Sequence, residues 1–277
     1  MGLDVGDDDS SDDDTSSDEE RDREVTPSSW TFFIWIAIYL WQFLWVFYSV
    51  STIFRKCNAS KEYLYVEPSF LPASFYGIFS LHLALSVTWL FAYDNEYHVA
   101  SFVGLSAMAV TLYVCMFFAV YLLWAYQEYL SVSEMWVNVL LVHNGLGIYA
   151  AWSTVATLLT LRTMLVETFD IKAKSAGTVI LALILIIAVI YPTLEMWLSK
   201  KRLRYVWTPY FTLIVAMAGI IDAHRWNDDS DSANAVLKIV IMSVLIIATL
   251  TKIGISVFRA FKQPTKIDQI RDTDDSD

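Results

Sequence analysis

The sequence predicts an all-α membrane protein, a polytopic bundle of seven transmembrane helices, and two observations support this fold class. First, 56% of the 277 residues are hydrophobic and 15% are aromatic, which is too apolar for an ordinary water-soluble domain. Second, several apolar runs approach the roughly 20 residues that a helix needs to cross a bilayer. The seven runs cover residues 30–53, 73–93, 99–124, 135–161, 177–198, 205–222 and 236–258.

The N-terminal segment, residues 1–29, is strongly acidic. It holds twelve Asp and Glu residues and two Arg residues, so it carries a charge of -10 out of the formal -11 of the whole chain. Because it has no apolar periodicity and its charges repel one another, we expect a disordered tail that acts as a solvated spacer. The rest of the chain is close to neutral.

The first apolar run is unusually rich in aromatic residues. At about 100° per residue, one stripe of this helix carries Phe32, Trp35 and Tyr39, and a second stripe carries Trp41, Trp45 and Tyr48. Trp30, at the start of the helix, is typical of an interfacial anchor. The deeper indoles need hydrogen-bond partners, and their flat rings either pack helices together or line a pocket for a hydrophobic molecule.

The fourth apolar run contains the sequence "IYAAWSTVATLLTL". Its Tyr149, Trp152, Ala156 and Leu159 span only about 80° of the helix circumference, so these four side chains form one face. The sequence therefore predicts a second aromatic face, on a helix distant in the chain from the first run.

Three segments resemble the tryptophan-rich sensory protein family, also called TspO or translocator proteins. Pro27-x-x-Trp30-x-Phe32, followed by Trp35-x-x-x-Tyr39, is similar to the beginning of the family's second helix. The spacing of Tyr149, Trp152, Ala156 and Leu159 is similar to the family's last helix. Between them, "LALSVTWLFAY", with Trp89 and Phe91, resembles the family's third helix.

The resemblance covers residues 26–162 and implies a division of the chain. Residues 30–162 would form a four-helix core similar to the family, residues 163–258 three additional transmembrane helices, and residues 259–277 a polar cytoplasmic tail. The chain also departs from the family pattern: Ser86 and Thr160 stand where asparagines are common, and the acidic tail replaces the family's first helix.

The resemblance implies an aromatic pocket within the membrane that binds, senses or transports a planar hydrophobic ligand similar to a porphyrin or a sterol. The residues that match the family's ligand contacts are Trp30, Trp152, Ala156 and Leu159, and the expected neighbouring walls are Trp35, Tyr39, Trp89 and Tyr149. Two alternatives stay open, a transporter or channel for a polar solute and a structural or regulatory membrane protein without a small ligand.

Catalysis has no positive support in the sequence. The spans contain no nucleophile–base pair, phosphate-binding glycine loop or carboxylate dyad, so we expect no enzyme activity and no cofactor. The expected partners are the lipid bilayer and the hydrophobic ligand, and not nucleic acid. A homodimer stays open.

Charged residues in or near the spans predict little chemistry. A retinal Schiff base at Lys252 would need a buried counter-ion, and the third run contains no Asp or Glu. We therefore interpret Lys252 as a residue whose long side chain reaches the basic face. Asp222 and His224, at the end of the sixth run, are interpreted as part of a solvated loop.

Polar residues within the spans predict helix packing. His82 and His143 lie on separate helices without neighbouring metal ligands, which indicates hydrogen-bonded core histidines rather than a metal site. Asn144 and Gly145 are typical of positions where membrane helices approach closely.

The distribution of Lys and Arg predicts the orientation. One side of the membrane receives eleven of these residues and the other side six, with "SKKRLR" at residues 199–204 as the main contribution. The positive-inside rule then places the C-terminus in the cytoplasm and the acidic N-terminus on the opposite side. The glycosylation sequence that begins at Asn58 argues the other way, because this orientation places it in the cytoplasm.

Overall fold

The computed structural model describes residues 25–57, 60–198, 202–223 and 233–262. The acidic residues up to 24, the asparagine of the glycosylation sequence, His224 and the predicted C-terminal tail from residue 263 lie outside this description. Val25, the first described residue, is fully buried.

Seven helices form the described part of the chain, which confirms the predicted all-α membrane bundle. They are α1 (Ser29–Ser51), α2 (Ala73–Asp94), α3 (His98–Ala125), α4 (Val132–Glu167), α5 (Ala173–Leu198), α6 (Thr208–Ala223) and α7 (Ala233–Lys262). Six of them are long and apolar enough to cross a membrane. With 16 residues, α6 is shorter, about 24 Å against a hydrocarbon thickness of about 30 Å.

Helix α4 lies at the centre of the bundle. In its most apolar 18-residue window, 78% of the residues are buried, against 22–39% in the other five long helices. It contacts α1, α3, α5 and α6, whereas α2 packs on α3, and α7 packs on α5 and α6. Glycine, alanine and serine are frequent along α4, and small residues allow neighbouring membrane helices to approach closely.

The first half of α4 contains a π-helical segment, Asn138–His143. Such a segment disturbs the regular pattern of main-chain hydrogen bonds and leaves carbonyl groups available for side chains. The indole of Trp41 donates to the carbonyl of Leu140 at 3.0 Å, and the amide of Gln42 donates to the carbonyl of Gly145 at 2.8 Å. Tryptophan on α1 therefore has a structural role here, since it ties α1 to α4.

The close approach predicted at Asn144 and Gly145 is confirmed. A Cβ atom on Gly145 would lie 2.9 Å from Cδ1 of Trp41, so only glycine fits without displacement of that ring. The side chain of Asn144 donates to the carbonyl of Tyr205 at 2.9 Å and accepts from the main-chain N–H of Trp207 at 2.9 Å. This asparagine thus connects the middle of α4 to the beginning of α6, where main-chain N–H groups lack helical partners.

The side chain of Lys252 reaches the loop of the basic face, as interpreted, but it is buried there and has a carboxylate partner that the sequence did not indicate. Lys252 is 3% exposed, forms an ion pair with Glu195 of α5, and donates to the carbonyl of Leu203 at 2.9 Å. Tyr210 donates a further hydrogen bond to Glu195 at 2.6 Å. A buried ammonium needs a carboxylate partner, and this one lies in the fifth apolar run rather than the third.

The prediction of hydrogen-bonded histidines is confirmed for one of the two. Nδ1 of His82 lies 3.3 Å from the carbonyl oxygen of Met108. His143 is fully buried and its ring lies against the main chain of Ala119, without a hydrogen bond of good geometry within the described residues, so for this histidine the prediction stays a prediction. Among the described residues, no group of three metal-binding side chains occurs.

Candidate ligand-binding site

Five aromatic residues that the sequence singles out come together between α1, α2 and α4. We call this group the ring cluster; its members are Trp35, Tyr39, Trp89, Tyr149 and Trp152. Three helices contribute to it, and two of them, α1 and α4, are separated by about a hundred residues of chain. The stripe of α1 that carries Trp35 and Tyr39 faces the aromatic face of α4.

Trp35 is the centre of the ring cluster. Its ring lies nearly parallel to that of Tyr39, with 5.6 Å between centroids, and to that of Trp89, with 6.3 Å. It meets Tyr149 and Trp152 edge to face, with centroids 5.9 Å and 6.2 Å away. These separations are typical of favourable aromatic pairs, so the two spans converge on one aromatic site.

Several polar atoms of this site have no partner. Among the described residues, the indole N–H groups of Trp89 and Trp152 are buried without a hydrogen-bond acceptor. The same holds for Nε2 of His82, whose ring contacts Tyr149 edge to face at 4.7 Å. Buried polar groups are paired in most proteins, and each unpaired one calls for an explanation.

The ring cluster is closed on one side and open on the other. Tyr149 and Trp152 of α4 are buried, whereas Trp35 and Trp89 are partly buried and Tyr39 is 58% exposed. The backbones of α1 and α2 come close to each other at few points, and the contact between Trp35 and Trp89 joins the two helices.

Two of the predicted residues, Ala156 and Leu159, continue the same face of α4 beyond Trp152. They lie about one and two turns further along the helix and are partly buried. They extend the site towards the end of α4 as small and aliphatic neighbours of the rings.

Trp30 lies apart from the ring cluster, although the sequence groups it with the other ligand contacts. Its indole donates to the carboxylate of Asp222 at 2.9 Å, and the hydroxyl of Ser28 donates to the same oxygen at 3.0 Å. Asp222 is exposed, as the interpretation of a solvated residue expects, but it lies within α6 rather than in a loop, and its carboxylate holds the beginning of α1 against the end of α6.

A groove of about 720 Å³ runs beside Trp30, between α1, α4 and α6. Trp41 and Trp207 also line it, and most of its surface is apolar. The indoles of Trp30 and Trp41 are paired with Asp222 and the carbonyl of Leu140, but the buried hydroxyl of Thr31, which also lines the groove, has no hydrogen-bond partner among the described residues. The groove thus differs from the ring cluster in these two paired indoles, since the indole N–H groups of Trp89 and Trp152 are unpaired.

Comparison with known families gives one match. The model of a family described as TSPO-like protein matches residues 11–255. The chain belongs to the TSPO-like family. The searches of curated proteins and of solved structures found no match. The range matched by the TSPO-like family extends beyond residues 26–162, where the sequence resemblance lies, and includes α5, α6 and most of α7.

Sequence reasoning missed two contacts of the site in this TSPO-like protein. Phe32 packs edge to face on Trp152, with 6.1 Å between centroids, and His82 contacts Tyr149. A signal for His82 was available, because it lies seven residues before Trp89, two helical turns away on the same face of α2. The sequence pattern indicated a hydrogen-bonded core histidine at this position and did not connect it with the aromatic residues.

Proposed function

We propose that this TSPO-like membrane protein binds a planar hydrophobic molecule, similar to a porphyrin or a sterol, at the ring cluster, and senses it or moves it within the membrane. The observation that carries the proposal is the pair of buried indole N–H groups, on Trp89 and Trp152, that lack an acceptor. Trp89 lies on α2 and Trp152 on α4, and both rings contact Trp35.

The unpaired N–H groups favour a ligand that brings oxygen or nitrogen acceptors. A buried polar group without a partner costs about 1–3 kcal/mol, and the lipid hydrocarbon offers no acceptor in exchange. A carboxylate, carbonyl or hydroxyl oxygen of a bound molecule would recover this energy. Nε2 of His82 offers a further polar contact at the base of the site.

The ring geometry favours a flat ligand. Trp35 and Trp89 are inclined by only 23°, and their centroids are 6.3 Å apart. Centroids of two rings that stack directly with an offset lie this far apart, so Trp35 and Trp89 already form a stacked pair. A flat molecule would extend this stack by packing on the face of Trp35 or Trp89, both partly exposed.

The lining of the cavities favours a hydrophobic ligand over a polar solute. The groove of about 720 Å³ between α1, α4 and α6 has mostly apolar walls, and a second cavity, between α3 and α5, is also mainly apolar. A transporter or channel for a polar solute would need polar groups that face a shared cavity.

The test is titration of the purified protein with protoporphyrin and, separately, with a fluorescent sterol. Quenching of tryptophan fluorescence and the absorbance of the porphyrin report binding. Trp152→Phe and Trp89→Phe remove the N–H group and keep an aromatic ring, so each should weaken binding about tenfold, the effect of one lost hydrogen bond.

Trp136→Phe is the matched control. Trp136 also lies on α4, 16 residues before Trp152 and therefore about 24 Å away along the helix. This variant should bind as the native protein does. The proposal fails if the native protein binds neither probe, or if the control loses as much affinity as the two ring-cluster variants.

A further inference from the structure

A second cavity lies on the opposite side of α4 from the ring cluster. It has a volume of about 270 Å³ and opens between α3 and α5, with Ala151 of α4 as part of its floor. Ala151 is two residues after Tyr149, which corresponds to about 200° around the helix. We call this cavity the α3/α5 cleft.

The α3/α5 cleft opens towards the lipid. Three of its wall residues on α3, namely Tyr113, Phe117 and Tyr121, are 45%, 64% and 48% exposed. Because Tyr113 and Tyr121 are eight residues apart, the wall runs for about 12 Å along the bundle axis. The cleft thus has the shape of a slot that is parallel to the lipid chains.

The two ends of the cleft differ in polarity. At one end the guanidinium of Arg202 lies over the ring of Tyr121, 5.6 Å from its centroid. At the other end the hydroxyl groups of Tyr113 and Thr154 are hydrogen-bonded to each other at 2.9 Å. The cleft therefore carries its free charge at one end, and its remaining length is apolar and aromatic.

Arg202 is positioned to bind an anion. It is exposed, and within the described part of the chain no carboxylate lies within ion-pair distance of it. Its main-chain carbonyl accepts a hydrogen bond from the indole of Trp124 at 3.1 Å, which attaches this loop to the end of α3. In the sequence, Lys200 and Lys201 precede it.

We propose that the α3/α5 cleft binds one anionic phospholipid of the surrounding bilayer, with its phosphate on Arg202 and one acyl chain along the wall formed by Tyr121, Phe117 and Tyr113. The polarity of the cleft matches that of a phospholipid whose head group lies at the basic face. The cation of Arg202 would meet the phosphate there, and the apolar walls would meet the acyl chain further inward. Charge-assisted hydrogen bonds from arginine to phosphate are among the strongest in proteins. This site goes beyond the proposed function and does not depend on it, because it uses another face of α4.

The test measures the lipid that copurifies with the full chain. The protein is reconstituted in vesicles of equal parts phosphatidylglycerol and phosphatidylcholine, extracted in mild detergent, and analysed by native mass spectrometry. We expect one tightly held phosphatidylglycerol per chain. Arg202→Gln should reduce its retention about tenfold, and Arg202→Lys, which keeps the charge but loses the planar guanidinium, should give retention between that of Arg202→Gln and that of the native protein.

The acyl part of the site is tested with an exposed residue, so that folding is not at risk. Phe117→Ala removes the most exposed of the three wall rings and should lower retention of phosphatidylglycerol severalfold. Lys262→Gln, a charge change at an exposed position outside the cleft, and Phe47→Ala, at an equally exposed ring of α1, are the matched controls and should leave it unchanged.

Three outcomes would overturn the proposal: equal retention of phosphatidylcholine and phosphatidylglycerol, unchanged retention in Arg202→Gln, or the same loss in Arg202→Lys as in Arg202→Gln. Unchanged retention in Phe117→Ala would contradict the placement of the acyl chain. Porphyrin binding at the ring cluster should be the same in all these variants, so failure here is distinguishable from failure of the proposed function.

Discussion

Trp35 of α1 and Trp152 of α4 meet edge to face, with 6.2 Å between their ring centroids and an angle of 90° between their planes. This contact joins two helices that are far apart in the sequence and places both indoles on the same intramembrane site. The aromatic residues of α1 accordingly have two roles. Trp35 and Tyr39 belong to the ring cluster, whereas Trp41 holds α1 against α4 through a hydrogen bond to the carbonyl of Leu140, and Trp45 donates to Gln42 of the same helix.

Trp35→Ala should destabilise the protein by about 2 kcal/mol, because Trp35 contacts four other rings and each aromatic pair contributes about 0.5–1.5 kcal/mol beyond its area. Thermal unfolding in detergent measures this. Phe47→Ala, an exposed position on the same helix, is the control and should cost distinctly less. Equal losses in the two variants would mean that the ring cluster adds no stability.

Lys252→Met should destabilise the protein by about 3–5 kcal/mol, since it leaves the buried carboxylate of Glu195 without its cation. The double variant Lys252→Met with Glu195→Gln removes both charges and should regain most of this loss. The measurement is the unfolding temperature of the native protein, both single variants and the double variant. Additive losses in the double variant would show that the two side chains are not coupled.

Gly145→Ala should destabilise the protein by about 1–3 kcal/mol. The new methyl group would lie 2.9 Å from Cδ1 of Trp41 and 3.1 Å from Cδ1 of Trp45, and hydrogen bonds hold both indoles in place. Gly77→Ala is a matched control on α2, where a Cβ atom meets nothing within 4 Å. The control should be neutral or slightly stabilising, because alanine favours a helix by up to about 1 kcal/mol over glycine. Unfolding temperatures that fall equally in both variants would contradict the packing explanation.

The orientation predicted from the Lys and Arg distribution is testable with introduced cysteines, because the native Cys57 and Cys115 are both buried. Tyr65→Cys lies in the loop between α1 and α2, and Phe169→Cys in the loop between α4 and α5; both positions are exposed. In sealed vesicles of known sidedness, a membrane-impermeant maleimide should label the cysteine at position 65 only from the cytoplasmic side. It should label the one at position 169 only from the other side. The reverse pattern would place the C-terminus outside the cytoplasm.

Much of the architecture could be predicted from the sequence, because hydropathy and helical periodicity are properties of consecutive residues. The seven runs match the seven helices, and the face of Tyr149 and Trp152 is buried as its spacing indicates. The site was predicted less completely. Trp30, which the sequence groups with Trp152 as a ligand contact, lies instead against Asp222.

The errors have a common physical cause. The counter-ion of Lys252 lies 57 residues earlier, on α5, and no local pattern connects the two. The same applies to Asp222, which meets Trp30 only because α6 ends beside the beginning of α1. Both contacts depend on how each helix is rotated about its axis and on which neighbours it packs against.

By itself, the sequence determined the membrane class, the number of spans and which residues share a helix face, since a lipid environment requires long apolar helices and a helix repeats every 3.6 residues. Only the tertiary structure decided which faces meet. The central position of α4, with its small residues and its π-helical segment, brings α1 and α2 together at the ring cluster and leaves the α3/α5 cleft on its other side. Packing against this shared helix is a property of the whole bundle, and for this reason no single segment of the chain predicts it.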